Sequence, residues 1–271
     1  MNHHREGAGP TLVLIHGVGH HWQGWTPVIE RLASQFDVVA TDSPGFGRSP
    51  PLPAGIAPTV PHYADAFTSF FAEQGLGRPH VAGNSMGGAI ALELARRGAV
   101  ASATAISPAG FTTRKELRFA QRSLTISRSI PPAVQPLLLG LAGSRAGRAM
   151  LLGQLVARPW RMPAAEARLM LTDAWASEAF GPAVAAFDGY SFREGHELAG
   201  VPLTVAWGSR DFLLLYGRQA PRARHALPQA RHLTLPGLGH TPMWDDPDQV
   251  ARIVAEGAGS LTPPRPAGQP A

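Results

Sequence analysis

Gly83-Asn84-Ser85-Met86-Gly87-Gly88 is the stretch on which the fold reading depends. It is a G-x-S-x-G pattern, and chance placement in a chain this rich in glycine gives roughly 0.2 matches, so the flanks must decide its meaning. Before it, His80 to Ala82 reads as a short apolar strand. After it, Met86 to Arg97 spaces Ile90 and Leu94 four apart on one helical face, closed by Gly98. A strand that turns this abruptly into a helix needs glycine on both sides of the turn, where backbones approach too closely for a Cβ. Serine in a glycine turn is also ordinary turn chemistry, so the rest of the chain has to discriminate.

Outward from this point the pattern repeats. Thr11 to Ile15, Phe36 to Thr41 and Ala103 to Ser107 are further buried-type strands, and Tyr63 to Gln74 carries Tyr63, Phe67, Phe70 and Phe71 on one helical face. Thr26-Pro27 supplies an N-cap and a first-turn proline for a helix through about Ala33. Strands alternating with helices predict a largely parallel sheet. Strand signals stop between Phe111 and Gly195, a helical, Arg-rich segment broken by Pro131, Pro132, Pro159 and Pro163. They resume at Pro202 to Trp207 and His232 to Leu235, with helices near Arg218 to Ala226 and from Asp248 to about Glu256, the latter capped by Asp246. The expected organisation is therefore a core of residues 1–110 and 196–261, an inserted helical cap of 111–195, and a disordered tail at 262–271.

Composition narrows the function classes. The 271 residues include 44% hydrophobic residues and no cysteine, which suits one globular unit and excludes a disulfide scaffold. The net charge of +5 comes almost entirely from arginine, Lys115 being the single lysine. With no aromatic stacking motif beside that charge, no nucleic-acid partner is expected. No signal peptide and no bilayer-length apolar run is visible, so the expectation is a cytoplasmic protein without stable membrane insertion. The span Thr112 to Tyr190 holds ten basic and five acidic residues. A solvated outer face explains that excess; attraction of anionic substrates or of an acidic surface is the functional alternative. Leu137 to Leu141 and Met150 to Val156 give the cap an apolar side that is expected to help roof a pocket for an apolar acyl group.

A serine hydroxyl attacks a carbonyl only when a base takes its proton and a third group holds that base. Asp211 follows the Pro202 to Trp207 strand and the turn Gly208-Ser209-Arg210. His240 lies in the loop PGLGH after the strand ending at Leu235. All three then sit beyond carboxyl ends of strands, where parallel sheets place ligands. The turn His16-Gly17-Val18-Gly19 can aim the Val18 N–H at a developing oxyanion, and the Met86 N–H at the helix start supplies a second donor. Gly17 and Asn84, neighbouring these groups, are the expected substrate contacts.

Five ordered pieces, HGVG (16–19), DSPGFGRS (42–49), GNSMGG (83–88), WGSRD (207–211) and GH (239–240), resemble the α/β-hydrolase superfamily, and the likeness runs from Thr11 to about Leu261. The resemblance implies a mostly parallel α/β fold with a helical cap inserted after the family's sixth strand. It also implies a cofactor-free and metal-free Ser-Asp-His enzyme, with Ser85 as nucleophile, His240 as base and then acid, and Asp211 fixing the imidazole tautomer. Serine at the turn argues against the dehalogenase and epoxide-hydrolase branches, which carry aspartate there.

One departure has a structural consequence. Only ten residues precede Thr11, so the N-terminal strands of the family look shortened or missing. Phe36 to Thr41 should then be an exposed edge, covered by the N-terminal arm or by a second copy in a homo-oligomer, unless the chain begins late. Among the remaining residues, Asp42 and Ser49 read as loop organisers, Trp22 and Trp25 as packing or pocket wall, and the pairs His3-His4 and His20-His21 as loop residues, since no spaced acidic companion marks a metal site. Asp245 and Asp246 are weaker substitutes for Asp211. Three functions fit this reading: hydrolysis of a carboxylic ester, thioester or lactone through an acyl-serine; carbon–carbon bond hydrolysis of ring-cleavage products, which GNSMGG also resembles; and a non-catalytic ligand-binding protein of the same fold. A glycine-rich HGGGPG loop and a tryptophan after the base mark the second group, whereas this chain has HGVGHHW and Thr241.

Overall fold

Along Thr11–Ile15 (β2), Leu12 and Leu14 face one side of the sheet and Val13 and Ile15 the other, and all four are buried, so helices must cover both faces. The computed structural model, which describes residues 1–193, 195–198 and 200–259, shows that three-layer arrangement. Seven strands run in the order β1-β3-β2-β4-β5-β6-β7. They are His3–Glu6 (β1), β2, Asp37–Thr41 (β3), His80–Asn84 (β4), Ser102–Ile106 (β5), Leu203–Gly208 (β6) and Arg231–Leu235 (β7). Every pairing is parallel except β1 with β3.

Thr26–Ala33 (α1) and Pro247–Gly257 (α10) cover one face, burying Trp25, Val28, Leu32, Val250 and Val254 against Leu12, Leu14 and Ala206. Val60–Glu73 (α2) and Met86–Arg96 (α3) cover the other, where Tyr63, Phe67, Phe70 and Phe71 form the expected buried face. Full burial of each such side chain contributes roughly 1.5 to 3 kcal/mol. Asp246 caps α10 by accepting the Gln249 N–H. Between β5 and β6 the described residues form five α-helices: Arg114–Arg128 (α4), Gln135–Leu141 (α5), Arg145–Leu152 (α6), Ala164–Ala176 (α7) and Phe180–Ala185 (α8). They carry a small apolar core of their own, including Leu152, Met162 and Met170. Tyr216–Ala226 (α9) follows β6. Among the described residues no helix is long and apolar enough to cross a membrane.

One expectation is met in one of its alternatives, and another needs correction. The edge at Phe36 to Thr41 is not exposed: the N-terminal arm forms β1 and pairs antiparallel with β3, from His3 opposite Thr41 to Glu6 opposite Val38. Self-association through that edge therefore loses its basis, because β1 is now the outermost strand. One N-terminal strand of the family pattern is thus present in short form. Asn2 fastens the arm, its side chain donating to Asp42 and its backbone N–H to Ser49 Oγ. Thr26, in turn, is not an N-cap. A 3-10 turn over Trp22–Trp25, capped by His21, runs directly into α1, so Thr26 is already helical. The tail expected at 262–271 lies outside the described residues.

Candidate active site

The strand order reverses between β2 and β4: β3 lies on one side of β2, and the chain then crosses to the other. A crevice opens at such a switch point beyond the strand ends. The loop after β2 is HGVG, and the turn after β4 holds Ser85.

Ser85 has φ 57° and ψ −114°, a strained backbone for a residue with a Cβ. The turn is pinned from both sides. Ser85 N–H donates to Ile106 O at 2.9 Å, and Ser85 O accepts from Ala89 N–H and Ala109 N–H. Its glycines are dictated by contact: a Cβ on Gly83 would lie 2.0 Å from Gly87 O, and one on Gly87 would lie 2.2 Å from Ile15 O. A Cβ on Gly17 would come within 3.2 Å of Ser85 Cβ, so the HGVG loop passes directly over the serine.

The loops after β6 and β7 bring Asp211 and His240 to the same end. His240 Nδ1 donates to Asp211 Oδ2 at 2.8 Å, with both side chains essentially buried. Asp211 Oδ1 accepts the N–H groups of Leu213 and Leu214, and Oδ2 also accepts Trp207 Nε1–H at 3.2 Å. Four donors hold this carboxylate, and the aspartate keeps the ring proton on Nδ1 and leaves Nε2 as the acceptor. Ser85 and His240 line one cavity of about 100 Å³. Ser85, Val18 and Met86 also line a second of about 40 Å³. Met86 is the first residue of α3, so its N–H has no intrahelical acceptor.

Asn84 borders the cavity, but its amide nitrogen donates to Ile106 O at 3.1 Å and to His240 O at 2.9 Å. Both amide hydrogens are used in tying the base loop to β5, which makes Asn84 a positioning residue. His16 acts similarly on the opposite loop. Its Nε2 accepts the Ser43 N–H at 2.9 Å and its Nδ1 donates to Gly17 O at 2.7 Å. Burial pushes its pKa down from the ordinary 6.5 to about 4, and buried His20 falls to about 3 for the same reason. Both rings stay neutral in the fold while the unfolded chain takes up protons near pH 6.5. Stability is therefore at its full value above about pH 6.5 and is lost as pH falls from there towards 4. The denaturant midpoint should drop across that window, and His16→Asn should flatten the drop; a midpoint constant from pH 7.5 to 4.5 contradicts the assignment.

Several functional contacts have no local sequence signal. Asp245 accepts N–H groups from Gly239, Ala157 and Arg158, so one buried carboxylate clasps the cap to the loop of His240. Burial outweighs those donors and raises its pKa. Thr241 N–H and Oγ1 both donate to Leu155 O of the cap. The pair His20-His21 does acquire an acidic companion: Asp173 on α7 lies 2.6 Å from His21 Nε2 and 4.0 Å from His20 Nδ1. The three could group around a cation, yet His21 Nδ1 accepts the Gln23 N–H, which leaves the ring proton on Nε2 facing the carboxylate. This arrangement is a second clasp between cap and core. His20 also lines a larger opening of about 500 Å³ on its far side, which does not reach Ser85. Ser85 lines the smaller cavities.

The remaining candidate residues sort by environment. Asp42 accepts from Trp22 N–H and Arg48 N–H, and its own carbonyl accepts from Ser49 Oγ, so both residues organise their loop as expected. Trp25 is core, and Trp22 stacks on His4 rather than walling a pocket. Of the apolar cap stretches, some members roof the cavity, namely Leu151, Leu152 and Leu155, whereas Leu137 and Met150 are about two-thirds exposed. Trp175, Phe180 and Leu213 complete the cavity wall.

The chain belongs to the alpha/beta hydrolase family, whose pattern matches residues 12–253. An uncharacterized protein of Mycobacterium tuberculosis is 28% identical over 268 residues, covering 92% of this chain and 75% of the relative. The dihydrolipoyllysine-residue acetyltransferase component of the acetoin cleaving system of Pseudomonas putida is 30% identical, over 89% of this chain and 61% of its own length. Among solved structures, a membrane phospholipase A described as a bacterial virulence factor aligns with TM-score 0.74 and 28% identity over 94% of this chain and 81% of its own. A thermophilic esterase from Thermogutta terrifontis aligns with TM-score 0.71 and 22% identity, over 94% of this chain and 91% of its own. A meta-cleavage product hydrolase aligns with TM-score 0.74 and 20% identity, over 95% and 94%. The last two likenesses speak for the fold alone.

Proposed function

We propose that this hydrolase cleaves uncharged carboxylic esters through an acyl-serine at Ser85. The observation that carries the reading is the conjunction of the Asp211–His240 hydrogen bond with two apolar cavities that meet at Ser85. His240 Nε2 takes the Ser85 proton as Oγ attacks the carbonyl. The Val18 and Met86 N–H groups receive the oxyanion, each worth about 2.7 to 4 kcal/mol of barrier. His240 then protonates the leaving alcohol and activates the water that releases the acid.

The lining is mostly leucines, aromatics, methionines and small residues, with Asn84, Thr112, Gln121, Ser127 and Thr241 as polar members beside Ser85 and the histidines; it includes no Arg, Lys, Asp or Glu. A substrate carboxylate entering it would lose hydration without gaining an oppositely charged side chain, a cost of several kcal/mol. This disfavours the acidic products of ring cleavage and the succinate derivatives named for two similar hydrolases. With p-nitrophenyl esters, kcat/KM is expected to rise from acetyl to medium acyl chains. It should fall at least about 100-fold when the chain end of a neutral ester is replaced by a carboxylate. Negligible rates across the neutral series would refute ester hydrolysis and leave carbon–carbon cleavage or ligand binding as the use of this site.

A further inference from the structure

The cap helix α4 has two different faces. Inward, Leu117, Ala120 and Leu124 line the cavities at Ser85. Outward, at 100° per residue, Arg118, Arg122, Lys115, Ile126 and Phe119 fall within one arc of about 100°. All five are exposed, Ile126 to 70% and Phe119 to 46%. Large apolar side chains gain nothing from water, and their concentration here is a property of the cap: seven of the nine exposed large apolar side chains lie between Phe119 and Trp160. The cations beside them are also uncompensated. Among the described residues, Arg114, Lys115, Arg118 and Arg122 enter no ion pair, while the helix's one acid, Glu116, is buried and paired with Arg222 of the core.

A solvated helix face would carry charges of both signs and hide its phenylalanine and isoleucine. A protein partner would be met by a larger apolar patch with paired charges. Unpaired cations interleaved with projecting apolar side chains on one amphipathic helix suit a surface that is negative outside and apolar beneath. We propose that the outer face of α4 docks this protein peripherally on an anionic lipid bilayer, with Phe119 and Ile126 entering the interface and Lys115, Arg118 and Arg122 meeting headgroup phosphates. Docking there sets the roof of the active-site cavity against the membrane. It does not depend on the reaction assigned to Ser85, and the test reads binding without turnover.

The full chain should co-sediment with phosphatidylcholine vesicles containing phosphatidylglycerol and remain in the supernatant with phosphatidylcholine alone. Raised salt should weaken the binding as the field is screened. Each cation near an anionic surface contributes about five-fold in affinity, so R118Q/R122Q should bind at least about 25-fold more weakly. F119S/I126S should lose binding while keeping its cationic face. Neither pair lines the cavities at Ser85, so hydrolysis of a short soluble ester should be unchanged and certifies that both variants fold. Equal binding to both vesicle types, binding that neither double variant weakens, or no binding at low salt would overturn the proposal. Preferential retention on a nucleic acid or an acidic protein, with vesicles ignored, would overturn it as well.

Discussion

Ser85→Ala is expected to lower kcat by roughly 10⁴- to 10⁶-fold while leaving the thermal transition nearly where it was. The first half follows from the role proposed for Oγ, the atom that would become acylated. Without it the cavity, the oxyanion donors and His240 remain, and they sustain only the residual catalysis that positioning and electrostatics provide. The second half follows from the local structure. Ser85 is held at φ 57° by its backbone bonds to Ile106, Ala89 and Ala109, and alanine keeps the same Cβ under the same strain. No described partner depends on the hydroxyl for folding. Steady-state kinetics on a medium-chain p-nitrophenyl ester, beside a melting curve, checks both halves. A variant that retains a tenth of the activity removes Ser85 from the chemistry.

Asp211→Asn is expected to cost about 10⁴-fold in kcat with little change in KM. The hydrogen bonds determine how the amide would sit. Leu213 N–H and Leu214 N–H point at Oδ1, so the asparagine oxygen takes that place and the NH2 group takes the place of Oδ2. There it faces Trp207 Nε1–H and His240 Nδ1, both of which now donate to Asp211. The imidazole answers by moving its proton to Nε2, the wrong nitrogen for accepting the Ser85 proton. Trp207 Nε1–H keeps its bond to Leu214 O at 3.0 Å, so the loss of its longer bond to the carboxylate should lower stability by only about 1 kcal/mol. The kinetic loss therefore exceeds anything the fold loses. Comparable activity in the variant would mean that the carboxylate orients nothing that matters.

The parts of this site that could be read from the sequence share one property: each is encoded locally. Ser85, Asp211 and His240 follow strands of recognisable period within short loops, and the glycines beside them announce close backbone approach. The strand order then carries them to one crevice without further information. What escaped reading is built from pairs far apart in the chain with no period to link them. Asp245 clasps residues 157 and 158, and Asp173 on the cap meets a histidine pair more than 150 residues earlier. A single buried carboxylate has no spacing to reveal its partners. Local rules favour threonine before proline as a cap, yet the 3-10 turn preceding Thr26 already starts the helix. The four residues of β1 alternate no apolar pattern, since an edge strand with half its residues exposed needs none. Likewise, the leucine runs of the cap showed apolar residues without showing which side faced the cavity: Leu152 turns in and Leu137 turns out.

The central claim is that a buried Asp–His pair renders one serine nucleophilic. Treatment of the folded protein with a fluorophosphonate, followed by intact-mass measurement and peptide mapping, tests it most directly. A single adduct on the peptide containing Ser85, formed orders of magnitude more slowly in His240→Ala, is the expected result. A folded protein that stays unmodified, or that carries the adduct on another serine, would contradict it.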